Sequence, residues 1–215
     1  ARIEGGFFGR AVSIHTFSGY LGWTAAPPVM LALVTLYDWR WALTMAGIAG
    51  LALALAMARH GRIMDGGAAG VRREGASPPE RGSLRRGFKL LRSVPMLMMF
   101  SFFLLTGAAG TGIMAFSVVA VIAIYGTDLV TANAALTGHL FASAAGVLLG
   151  GWIADRTSRH NLVTSTAIAG MALAVAVVGS SWLAVPLMIA AMALGGLLYG
   201  ITSPSRDMLV RHAMP

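Results

Sequence analysis

Between residues 134 and 149, and again between 163 and 178, the chain carries no Asp, Glu, Lys or Arg, and only residues 150–162 separate the two runs. A break that short cannot hold a domain. It can only turn the chain around at a membrane surface. Six apolar blocks of this kind are legible, at residues 12–37, 41–58, 96–125, 134–154, 162–179 and 183–201. Each reaches the roughly 20 residues that a helix needs to cross a bilayer. A membrane β-barrel would instead need short segments of alternating polarity. The expected fold is therefore an all-α polytopic membrane protein of six transmembrane helices, the third block being long enough to tilt or break.

Composition agrees, with 57% hydrophobic and 11% charged residues, against roughly 25% charged in a soluble domain. The net charge of +8 would point to nucleic acid in a soluble protein. Here the basic residues fall in the gaps between apolar blocks and serve as topology determinants, so no nucleic-acid partner is expected. With the N-terminal tail, residues 59–92, residues 155–161 and the C-terminal tail on one side, fifteen of the sixteen basic residues lie together and only Arg40 lies opposite. Basic loops stay cytoplasmic, so both ends are expected in the cytoplasm of a multi-pass protein of the plasma (inner) membrane. The chain starts at Ala1, lacks the apolar centre of a signal peptide and ends in Arg211-His212-Ala213-Met214-Pro215. Both ends look cut, and a fragment is the expectation.

Residues 60–93 read as a cytoplasmic basic linker, too rich in Gly and Pro for a packed core. Within it Leu84, Phe88 and Leu91 recur at helical spacing among Arg85, Arg86, Lys89 and Arg92. Two readings fit: a short helix on the anionic leaflet, or a plain solvated loop. Ser93-Val94-Pro95 reads as the cap and first turn of the next helix.

Catalytic chemistry finds little support. With no cysteine, disulfides, thiol catalysis and thiolate metal sites are excluded. The eight acids are scattered among loops, so neither a metal site nor a cofactor site is expected. There is no Gly-x-Ser-Gly and no phosphate loop of the ATPase type. His139 is the only ionisable side chain deep inside a span. A proton-coupling or substrate role and a neutral imidazole bonded between helices both fit it. Glycine clusters at 19–22, 107–112 and 195–200, with Pro27-Pro28, allow close helix contact or expose backbone to a cavity. The third and sixth blocks also carry polar residues, and Thr106, Gly110, Thr111, Ser117, Tyr199 and Thr202 are expected with His139 around a solute cavity. The second and fifth blocks are nearly uniform Ala, Leu, Val and Met, as expected of helices facing lipid.

The loop Gly151-Trp152-Ile153-Ala154-Asp155-Arg156-Thr157-Ser158-Arg159 resembles the loop motif of the major facilitator superfamily, with Ser158 where the family usually has Gly. Arg10-Ala11 opening a glycine-rich span that ends in Ala26-Pro27 resembles the family's fifth helix, though without the later glycines of the drug/proton antiporter motif. Asp38-Trp39-Arg40 resembles the turn between the fifth and sixth helices, and Pro204-Ser205-Arg206-Asp207 the end of the tenth. The resemblance covers the whole chain as helices five to ten of twelve. It implies a partial two-bundle fold, with residues 1–59 closing the first bundle, 60–93 linking and 94–215 opening the second. It also implies a secondary transporter, not an enzyme, moving a small solute by alternating access and monomeric when complete. Proton coupling stays open. Gly151, Asp155, Arg156, Arg159, Arg206, Asp207 and Arg10 would form its cytoplasmic gate, with Asp155, Arg159 and Asp207 as a charge relay. The alternatives are a six-span channel or structural membrane protein, then a polytopic membrane enzyme.

Overall fold

The computed structural model describes the backbone of residues 8–68 and 94–213, and side chains at 14–60, 94 and 96–206. The expected surface helix around Leu84, Phe88 and Leu91 lies outside the described residues. Within them every regular element is an α-helix: α1 (Phe8–Leu36), α2 (Trp39–Ala68), α3 (Val94–Tyr125), α4 (Leu129–Arg156), α5 (His160–Gly179) and α6 (Val185–Ala213). All six are long and apolar enough to cross a membrane.

Several helices differ from the apolar blocks that announce them. Helix α2 runs past Arg59 into the sequence's linker, and α6 continues through Pro204 to Ala213. An apolar block marks where a helix meets lipid, not where its hydrogen bonding stops. Each further residue adds a backbone bond to an existing helix, so Gly61 or a polar side chain need not end it. The third block neither breaks nor divides, being one helix of 32 residues. Pro27 and Pro28 likewise sit inside an unbroken α1. Lacking N–H groups, they cannot bond the carbonyls of Trp23 and Thr24. The Thr24 hydroxyl turns back one turn and donates to the Tyr20 carbonyl at 2.8 Å.

The turns are short and chemically specified. Gly126, at φ +63, ends α3 in the left-handed conformation that glycine adopts without a Cβ clash. Asp128 then caps α4, its side chain accepting from the Thr131 N–H at 2.7 Å. Helix α5 ends at Ser180, followed by Ser181 at φ 61 and by Trp182, which is 91% exposed. Between α1 and α2, Asp38 accepts from the Arg40 N–H at 2.8 Å, and the Arg40 guanidinium lies 4.7 Å from the Trp39 ring centre.

The chain divides into two compact units, residues 1–29 with 99–215, and residues 30–98. In the second, α2 is exposed throughout from Leu43 to His60. In the first, α4 and α6 run parallel with glycines on both sides of their seam. A Cβ at Gly146 would lie 2.2 Å from the Leu197 carbonyl oxygen, and one at Gly196 2.0 Å from that of His139. Gly150 meets the Ile201 backbone and Gly200 that of Ser143 in the same way. Close small-residue contact replaces the hydrophobic effect, which cannot drive helices together in lipid. Helix α5 joins antiparallel, with Ala174 against Gly195 and Leu198 over Gly170. Val121, Ala135, Val178, Met188 and Met192, from α3 to α6, form a core at the end carrying the Gly126 turn. There the Tyr125 hydroxyl donates to the Val178 carbonyl at 2.7 Å.

Candidate functional site

Only Thr157, Ser158 and Arg159 separate α4 from α5. The Thr157 N–H closes α4 onto the Ile153 carbonyl, and its hydroxyl accepts from the Arg159 N–H at 3.1 Å. Because α4 stops at Arg156, no helical turn carries Arg159 back over Asp155, and no ion pair joins these two residues. The helical turn expected to set Arg159 on the same face as Asp155 is therefore absent. Asp155 is half-buried, its Oδ2 shielded from solvent. Arg156 folds back along its own helix, 3.9 Å from the Trp152 ring centre, while Arg159 is exposed. Gly151 is buried, as is His160, which opens α5.

At the same end of this unit, Arg206 of α6 lies 4.8 Å from the Phe103 ring centre of α3. The guanidinium–ring attraction ties the polar end of α6 to the start of α3. Asp207 continues α6 rather than terminating it. The side chains of Asp207 and Arg10 lie outside the described residues.

His139 is 3% exposed, and its Nδ1 lies 2.9 Å from the Met192 carbonyl oxygen of α6. That bond makes Nδ1 the protonated nitrogen of the neutral ring. Ser143 donates to the His139 carbonyl at 2.8 Å, on the seam that Gly196 and Gly200 tighten. At the other end of α4, outside the spans, the hydroxyl and N–H of Thr131 hold the Asp128 carboxyl below the usual carboxylate range.

A cavity of 730 Å³ lies within the first unit, lined by α3 and α5 with Met192 and Tyr199 of α6. Of the residues the sequence suggests, Thr106, Ser117 and Tyr199 line it. Gly110 is buried beneath Tyr199, since a Cβ there would lie 2.5 Å from the phenol oxygen. Thr202 is buried, donating to the Tyr199 carbonyl at 2.6 Å, and Thr111 is exposed away from the cavity. His139 lies in the α4–α6 seam and is not part of the lining.

The fifth block corrects the expectation that it faces only lipid. Its His160, Thr164, Ala167, Met171, Ala174 and Val178 are buried at intervals of three or four residues. Met171, Ala172 and Val175 also line the cavity. Hydropathy could not show this, because the lipid and protein faces of a membrane helix are both apolar. Gly170 with Ala167 and Ala174 was the small-residue signal available. The sequence reading also missed Tyr20, which packs with Ala144 and Val147 of α4 and with Phe17 and Tyr199.

Compared with known proteins, residues 4–215 match the family model described as Major Facilitator Superfamily. No curated protein and no solved structure gives a match to the chain.

Proposed function

Since the chain belongs to the Major Facilitator Superfamily, a family of membrane transporters, we propose that it moves a small solute across the bilayer by alternating access. The observation that carries this reading is the family match across residues 4–215, which takes in all six apolar helices. In such transporters two helical bundles rock about a site near the bilayer midplane. Residues 1–59 would close one bundle, 60–93 link, and 94–215 open the next. The glycine-tight α4–α6 pair suits a unit that moves as one body. Thr106, Ser117 and Tyr199 belong to the wall of the cavity beside it.

The α4–α5 turn is the proposed cytoplasmic gate. Asp155 brings a shielded carboxylate to it, while Arg156 and Arg206 are held on Trp152 and Phe103. A carboxylate at this depth favours a nearby helix N-terminus. In a closed state Asp155 would face the start of α1 around Arg10, with Arg159 and Asp207 beside it. The gathering of basic residues on one side supports a cytoplasmic position for this turn and both ends of the chain, in a plasma-membrane protein.

The test is uptake into proteoliposomes over a panel of small solutes. Saturable, counterflow-competent uptake is expected, and non-saturable conductance would favour a channel. Asp155→Asn should cut transport strongly while the protein stays inserted and folded. Wild-type transport by that variant would leave Asp155 only an anchoring role.

A further inference from the structure

Two guanidinium groups stand at the α4–α5 turn with no carboxylate to meet them. Arg156 and Arg159 are both exposed, and neither forms an ion pair among the described residues. The one acid in the turn, Asp155, is half-buried with its Oδ2 shielded from solvent. Arg156 is nevertheless held in place, its guanidinium 3.9 Å from the centre of the Trp152 ring one turn back. Stacking on a ring occupies the flat of a guanidinium and leaves its edge N–H groups free to donate. Arg159 is fixed through its backbone, its N–H donating to the Thr157 hydroxyl at 3.1 Å. No side chain caps α5, so the positive end of that helix opens on the same turn.

An apolar stripe on α4 leads up to these cations. Phe141, Leu148 and Trp152 are exposed, and Arg156 follows them. Intervals of seven, four and four residues put the four side chains on one face of the helix. At 1.5 Å per residue the stripe runs roughly 22 Å from Phe141 to Arg156, against about 15 Å of hydrocarbon in one leaflet. This face carries cation, interfacial ring and apolar side chains in the order that a lipid carries phosphate, glycerol and acyl chain.

We infer that the α4–α5 turn binds a phospholipid of net negative charge, with its phosphate on Arg156 and Arg159. One acyl chain lies along Trp152, Leu148 and Phe141. Charge complementarity selects this occupant, since phosphate oxygens match the forked donors of arginine. A zwitterionic headgroup brings its own ammonium to the arginines and gains less from them. A soluble anion, or an acidic protein segment, would use the arginines and leave the stripe unused. The site needs only a turn at a membrane surface, in whichever leaflet, so it does not depend on the transporter reading.

The experiment is photolabelling of the full chain in phosphatidylcholine nanodiscs, doped with phosphatidylglycerol that carries a diazirine in one acyl chain. Adducts mapped by mass spectrometry should concentrate on Phe141, Leu148 and Trp152. They should exceed those from phosphatidylcholine carrying the same diazirine. Arg156→Gln and Arg159→Gln should each lower phosphatidylglycerol labelling about fivefold, and together bring it to the phosphatidylcholine level. Arg40→Gln, in the α1–α2 turn, removes the same charge elsewhere and should change nothing at the stripe. Four outcomes would each overturn the inference: equal labelling by the two lipids; labelling that survives the double substitution; adducts spread evenly over exposed apolar residues such as Leu51 and Leu53; or displacement of the lipid by inorganic phosphate.

Discussion

His139 shows how a single residue is decided by its partner. A lone ionisable group inside a span invites a functional reading, yet its Nδ1 is already bonded to the Met192 carbonyl. Replacing it with Leu keeps the volume and removes one hydrogen bond, at a cost of about 1 kcal/mol. A thermal melt in detergent should show that loss, with the pH profile of transport unchanged. A shifted profile would instead give this ring a proton-coupling role. Asp128 is the other residue whose chemistry is settled locally, because Thr131 stabilises its charged form. Its carboxyl titrates lower when folded than the roughly 3.9 of a free Asp. The cap's contribution is therefore present above that range and is lost as pH falls through the folded value. Amide exchange in the first turn of α4 should accelerate in acid, and Asp128→Ala should exchange fast at every pH.

Among the elements, the α4–α6 seam is the least tolerant. A Cβ at Gly196 or Gly200 would come within 2.0 Å of a backbone oxygen, which no side-chain rotation can relieve. Gly200→Ala should cost about 1–3 kcal/mol, the usual range for overpacking, because the helices must part. Gly47→Ala on α2 and Gly112→Ala on α3 meet nothing within 4 Å. They should be neutral, or stabilising by up to about 1 kcal/mol through helix propensity. The seam was half legible. Gly195-Gly196 and Gly200 stood out in the sequence, while Gly146 and Gly150 did not, because nothing in a single helix says which neighbour it will meet.

For the whole molecule, the testable property is topology. The chain has no cysteine, so each introduced thiol is unique. Cysteines placed singly at Ser77 and Asp128 should react with an impermeant maleimide from opposite faces of the membrane. Labelling of both from one face would undo the placement that gathers fifteen of sixteen basic residues on one side.

The sequence by itself determined that the described residues hold six helices apolar enough to cross a membrane, and its loop and turn motifs resembled those of the family the chain matches. Apolar length and the position of charge are properties of the chain in a bilayer, and need no tertiary contact to be read. Helix ends were less legible, as α2 and α6 show, because backbone hydrogen bonding continues beyond the lipid boundary that hydropathy detects. Only the tertiary structure decided that α4 ends before Arg159, that His139 bonds across to α6, and that α5 forms one wall of the cavity. Inside a membrane a Val or Met is equally at home against lipid and against protein. Which face is buried is set by close packing of backbones at a few glycines, and that appears only when the helices are brought together.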